Sequence, residues 1–309
     1  MSLIEKALEK MQQSQRQGTA SAGPALAPAP APFAKGSASA PRTPDVGRIV
    51  TAPPPPQGYT INLDQPGLRA SGLLPPEHQA RQINQQYQRI KRPLMANAFG
   101  RGGSAVRDGR VIMVASAVPG EGKTFTSINL ALSLALEKEV QVILVDADLP
   151  KPHISKLLNI HHEPGLTDVL QDASLDIESV IHPTNIPALC VMPAGTRSHN
   201  ATELLASERM AACVARLTSM DPNRIVLFDS PPLLLTTESQ VLSHVAGQVV
   251  VVVRAGVTQQ GAVLDAVSHI PEGRRVSLIL NQIMADSSTN YYYYGNGNES
   301  DGADSTRAG

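Results

Sequence analysis

From residue 111 onward, short apolar runs alternate with stretches of helical spacing. Val111-Ile112-Met113-Val114-Ala115 comes first, followed by 140–145, 225–228, 249–253 and 276–280. These runs are apolar at every position rather than at alternate ones, which predicts strands buried on both faces, as in a parallel sheet. After the first run, Ile128, Leu130, Ala131, Leu134, Ala135 and Leu136 recur at helical intervals and predict a helix. Strand and helix in alternation predict an α/β fold, a mostly parallel sheet flanked by helices with right-handed crossovers.

The ends of the chain carry other patterns. Leu3, Ile4, Ala7, Leu8 and Met11 lie between charged residues and predict a short amphipathic helix over 1–16. Such a helix is too short to be stable alone and needs something to dock on. Residues 17–78 read as a Pro/Ala-rich linker that includes Pro53-Pro54-Pro55-Pro56. A basic helix is predicted over 79–99, with Ile83, Tyr87 and Ile90 on one side and Arg81, Arg89, Lys91 and Arg92 elsewhere, until Pro93 interrupts it. The main domain is expected over 79–286, and 287–309 reads as a polar, disordered tail.

At 309 residues the chain has room for a large core. Cys190 and Cys213 are isolated, which suits a reducing compartment. No apolar run reaches the ~20 residues of a membrane span and no signal peptide opens the chain, so a soluble, cytoplasmic protein is expected. Charge is uneven: residues 1–110 carry 14 Lys/Arg against 6 Asp/Glu, and the remainder 12 against 21. A basic arm on an acidic body suits self-association, an anionic surface or a merely solvated linker. Nucleic-acid binding is not expected, with four Phe, no Trp and the basic residues spread along a linker.

The candidate chemistry starts at Ser116-Ala117-Val118-Pro119-Gly120-Glu121-Gly122-Lys123-Thr124, between the first strand and the first helix. That is the context of a phosphate-binding loop. Gly120 and Gly122 free the backbone to turn its N–H groups inward, and the helix begins with its positive end toward the loop. Lys123 is placed to reach the β- and γ-phosphates and the Thr124 hydroxyl to ligate Mg²⁺. Ala117 stands where the usual pattern has its first Gly. The second strand ends at Asp146-Ala147-Asp148 and the third at Asp229. Carboxylates at the carboxyl ends of parallel strands face the crevice where open α/β sheets bind ligands. A lone strand-terminal Asp is as readily a helix cap, but three beside a phosphate loop point to a metal–phosphate site. Adjacent residues such as His161-His162 do not face together on a helix or strand, and with no Cys nearby they read as surface or cap histidines rather than metal ligands.

Taken together, Val118–Thr124, Ile143-Leu-Val-Asp-Ala-Asp-Leu149 and Val226-Leu-Phe-Asp-Ser-Pro-Pro232 resemble the Walker A, A′ and B motifs of the bacterial tyrosine kinases, which control capsule and exopolysaccharide export. Gly165-Leu-Thr-Asp-Val-Leu170, Pro193-Ala-Gly195 and Asn200-Ala-Thr-Glu-Leu-Leu205 add to the likeness, which covers about 85 to 295. The first nine residues and Ile90-Lys-Arg-Pro-Leu94 resemble the exosortase-associated branch.

The resemblance implies ATP and Mg²⁺ as ligands. It implies nucleotide contacts from Pro119, Gly120, Glu121, Gly122, Lys123, Thr124, Phe125 and Asn281. Asp146 is then the base, with Thr124, Asp148 and Asp229 at the metal. Lys151 stands near a position where the family often has Arg, and Gln86, Arg89 and Arg92 keep the spacing of the family's interface helix with Gln in place of Glu. The implied partners are further copies of the chain in a ring, a transmembrane polysaccharide co-polymerase that activates the kinase at the inner membrane face, and a tyrosine phosphatase. Four of the six tyrosines, Tyr291, Tyr292, Tyr293 and Tyr294, sit in the tail and are the expected phosphoacceptors. The competing reading is a P-loop ATPase switch in which these tyrosines are incidental.

Overall fold

The computed structural model describes residues 60–100 and 105–283. In chain order the helices are α1 Gln65–Ala70, α2 Glu77–Phe99, α3 Lys123–Ala135, α4 His153–Leu157, α5 Leu166–Gln171, α6 Ala201–Leu205, α7 Glu208–Ser219, α8 Thr237–Leu242 and α9 Gln260–Ser268. The strands are β1 Val111–Ser116, β2 Gln141–Asp146, β3 His182–Pro183, β4 Leu189–Met192, β5 Arg224–Asp229, β6 Gln248–Arg254 and β7 Arg275–Asn281. They form one sheet in the order β3-β4-β2-β5-β1-β6-β7. All pairings are parallel except β3 with β4.

The period of two along each strand divides the core into two layers. Val111, Met113 and Ala115 join one, which α5 to α9 cover; Ile112 and Val114 join the other, beneath α1 to α4. β1 is buried at every position, as its unbroken apolar run requires. From β1 the chain works outward to β2 and β4, returns to insert β5, then continues through β6 to β7 on the far side. The carboxyl ends of β1, β2 and β5 therefore flank the point where the winding direction reverses, the usual ligand crevice of an open α/β sheet.

The folded part begins earlier than composition suggests. Within the expected linker, Ile61, Leu63, Leu68, Leu73 and Leu74 are buried in the second layer, and Ile61 bridges to Thr184 beside β3. The Pro-rich stretch before them masks this short apolar cluster in any averaged composition.

Pro93 does not interrupt α2, which runs on to Phe99. Proline costs a helix one hydrogen bond, and here buried Leu94 and Lys91 pin the chain on either side of an exposed ring. Lys91 is 2% exposed rather than on the solvent side, because it follows Tyr87 by four residues on the same face. Its Nζ donates to the Ser133 carbonyl at 2.8 Å and pairs with Glu137 at 2.6 Å, placing a cation at the carboxyl end of α3. We expect Lys91→Met to lower stability by about 1–3 kcal/mol by leaving the Ser133 carbonyl unpaired, measured by urea unfolding. No loss would mean that this carbonyl finds another donor.

Leu136 is the reverse case: it lies past the end of α3 and is 74% exposed. Residues 1–59 and 284–309, with the amphipathic segment and the tyrosine-rich tail, lie outside the described residues.

Candidate functional site

Gly122 caps α3 with φ +96°, and Gly120 has φ +80°. Both are left-handed conformations that a side chain disfavours. At Gly122 a Cβ would also collide with the Asn281 amide, which donates to the Glu121 carbonyl at 2.9 Å. The loop can therefore take this path only with glycine there, and it leads into the amino-terminal end of α3, where anions are favoured.

Asp146 and Asp229 are paired in register at the ends of β2 and β5, and both are fully buried. Asp229 accepts from the hydroxyls of Thr124 at 2.9 Å and Ser127 at 2.8 Å, which ties β5 to the first turn of α3. Asp146 Oδ2 accepts from both the N–H and the hydroxyl of Ser155 at 2.7 Å, whereas its Oδ1 is buried without a hydrogen bond. Burial, then the neighbouring Asp229, raises the Asp146 carboxyl to about 7. Burial raises Asp229 to about 6 against the pull of Lys123 and its two hydroxyl donors. Asp148 is also raised by burial, with Lys123 the strongest opposing influence, followed by Lys151 and His153. Lys123 thus acts electrostatically on both Asp148 and Asp229.

Above these acids lies a cavity of about 580 Å³. The loop residues Pro119, Gly120, Gly122, Lys123, Thr124 and Phe125 line it, with Asp148, Lys151 and His153 on one side and Asn281 and Gln282 also at the wall. Asp148 is the acid at the wall; Asp146 and Asp229 form the layer beneath. Glu121 does not line the cavity, and its side chain is turned inward, 1% exposed. Tyr87, the one tyrosine among the described residues, is buried, and burial pushes its phenol up to about 12. It is out of reach as a phosphoacceptor.

Sequence reasoning missed several contributors. Ser127 lies three residues past Thr124 and so shares its helix face, a signal that periodicity holds. Ser155 and the cavity-lining pair Gly72-Leu73 left no such signal, since only the fold brings them in. Gly165 and Gly195 interlock: a Cβ on either would strike the other segment, and Asp168 accepts from the N–H groups of Gly165 and Thr196. That contact explains why the two glycine-bearing stretches occur together.

A phosphate loop at the switch point of a parallel sheet, with acids at two adjoining strand ends, defines a P-loop nucleotide-binding protein. Residues 109–278 match the AAA domain family. The tyrosine-protein kinase YwqD of Bacillus subtilis is 32% identical over 199 residues, covering 62% of this chain and 80% of YwqD. The tyrosine-protein kinase Wzc of Salmonella typhimurium is 33% identical over 187 residues, and there the match covers 25% of the longer relative. Among solved structures, the VpsO kinase domain superposes with a TM-score of 0.55 at 28% identity, over 68% of this chain and all of that one. The chain belongs to the AAA domain family and, within it, to the bacterial tyrosine-protein kinases.

Proposed function

We propose that the chain is a protein-tyrosine autokinase that transfers the γ-phosphoryl group of Mg·ATP to Tyr291, Tyr292, Tyr293 and Tyr294 of a neighbouring copy. One observation supports this: Lys123, Thr124 and Asp148 line a single cavity, and Asp146 and Asp229, paired in register, lie buried beneath it with Asp229 bonded to the Thr124 hydroxyl.

The residues fit a magnesium nucleotide. Thr124 and Asp148 line the cavity and Asp229 accepts from the Thr124 hydroxyl at 2.9 Å, a hydroxyl with two carboxylates that suits an ion otherwise held by the phosphates themselves. Thr124, Asp148 and Asp229 would hold it, and when bound it offsets the charge of the phosphate oxygens. Phe125 and Asn281 line the cavity where the rest of the nucleotide can lie. The loop and Lys123 grip the phosphates and fix the γ-phosphorus for in-line attack. The acceptor phenol oxygen bonds to that phosphorus while the bond to the β-phosphate oxygen breaks, leaving ADP. Asp146 takes the phenol proton at Oδ1, the oxygen without a partner, while Ser155 holds Oδ2. Because Oδ1 is buried beneath the cavity, this transfer requires the wall at Asp148 to part as the acceptor enters.

The resemblance extends the proposal to a ring of subunits, a membrane co-polymerase as activator, a phosphatase that resets the tail, and control of exopolysaccharide synthesis and export from the inner membrane face. No helix among the described residues is long and apolar enough to cross a membrane. Each phosphate adds nearly two negative charges, so several together would drive tails from acidic neighbours.

The test is to incubate the purified chain with Mg·ATP and map its phosphorylation. Label should fall on the four tail tyrosines, not on Tyr87, and should vanish when all four are changed to Phe. Hydrolysis of ATP with no tail label would favour the ATPase switch instead.

A further inference from the structure

Glu121 lies between the two left-handed glycines of the loop, yet its carboxylate turns away from the cavity and into the protein. Oε2 accepts from the Val118 N–H at 2.8 Å. Oε1 accepts from the Thr258 hydroxyl at 2.5 Å and from the Arg254 N–H at 3.3 Å. Its backbone carbonyl takes the Asn281 amide. One residue of the phosphate loop is thus bound to its own first half, to the turn after β6 and to the end of β7.

A buried carboxylate is costly unless several donors meet it, and here three do. Hydrogen bonds to an ionised acceptor are roughly twice as strong as neutral ones. Glu121, Val118, Arg254 and Thr258 all lie outside the cavity lining, so no ligand contact accounts for these carboxylate bonds.

We infer that Glu121 and Thr258 form a tether that holds the phosphate loop in its binding shape, so that Thr258, remote in sequence, is a positioning residue for nucleotide. Without the tether the loop must be ordered by the ligand, and that cost appears in affinity. Thr258 caps the turn between β6 and α9, where Val257 is 61% exposed. A displacement of that exposed turn therefore reaches the phosphate loop through two hydrogen bonds.

This inference rests on nucleotide binding at the loop, and two readouts on the full-length chain keep the questions apart. The first is hydrogen exchange of the Val118, Gly120, Glu121 and Gly122 amides without nucleotide, in wild type, Thr258→Val and Thr258→Ser. Thr258→Val should speed exchange there about tenfold while β2 and β4 are unchanged, and Thr258→Ser should restore it. The second is the kinetic split: Thr258→Val should raise KM for ATP about tenfold with kcat within about twofold of wild type.

Glu121→Gln sets a donor against either Val118 N–H or the Thr258 and Arg254 donors, and should act in the same direction. The double variant should be no worse than Glu121→Gln alone. Unchanged exchange in Thr258→Val, failure of Ser to rescue, or additive effects would overturn the tether. Wild-type protein that binds no nucleotide would overturn the functional reading, while the exchange experiment would still decide the tether.

Discussion

Lys123→Ala should reduce tail phosphotyrosine by at least about a thousandfold, the scale on which a cationic group at a transferring phosphoryl acts. The structure gives Lys123 two tasks. It lines the cavity at the head of α3, where the phosphates of the proposed nucleotide would lie, and it stabilises the charged forms of Asp148 and Asp229. Removing it leaves Lys151 as the remaining lysine of the wall and withdraws the charge that opposes Asp148 and the underlying Asp229, which would weaken the hold on a triphosphate and on its metal together. Since the side chain is part of the cavity wall rather than the core, the fold should survive, with a melting temperature within a few degrees of wild type. Substantial labelling in the folded variant would sink the role.

Asp146→Asn should separate activity from stability. As a base, Asp146 cannot be replaced by an amide, so labelling should fall by about 10²–10⁴-fold. Stability should rise, because a carboxylate held at about 7 is unfavourable in the fold when ionised. Unfolded, the same group titrates near 4, so the folded chain binds the extra proton between these values. The favourable contribution is complete below pH ~4 and is lost as pH rises through about 7. A rise of about three pH units corresponds to at most about 4 kcal/mol. The melting advantage of the variant should therefore be small at pH 5 and widen by several degrees by pH 8, in nucleotide- and magnesium-free protein. A gap that stays constant with pH would refute the burial argument; full labelling would refute the base.

How much of this was legible follows from what each residue reports on. The five long apolar runs became β1, β2, β5, β6 and β7 with bounds shifted by a residue or so. The first four are buried nearly throughout, as an unbroken apolar run requires, whereas β7, at the sheet edge, is not buried on both faces as expected and leaves Leu278 and Leu280 exposed. β4 escaped notice: Leu189–Met192 is four residues long and follows a Pro-rich turn. The acids at the strand ends were legible because topology fixes where such ends point, and the structure brings Asp146 and Asp229 into register. Depth was not legible. Asp146 and Asp229 lie beneath the cavity rather than on its wall, and Glu121 faces inward. Nor could Ser155 or Thr258 be matched to their partners, since those contacts span 9 and 137 positions with no repeating pattern.

Asn281 and Gln282 stand at the cavity wall, and the chain leaves the described domain one residue later. Nine peptide steps separate Gln282 from Tyr291, a contour of at most ~32 Å. On the proposed function, every copy has its acceptor tyrosines within that contour of the mouth of its own pocket. In the proposed assembly of copies, the same short span would hold one copy's tail near the next copy's pocket at local concentrations in the millimolar range, so the kinase would need only loose recognition of the sequence around each phenol. Anchorage does the work of specificity, which is consistent with four identical residues in a row.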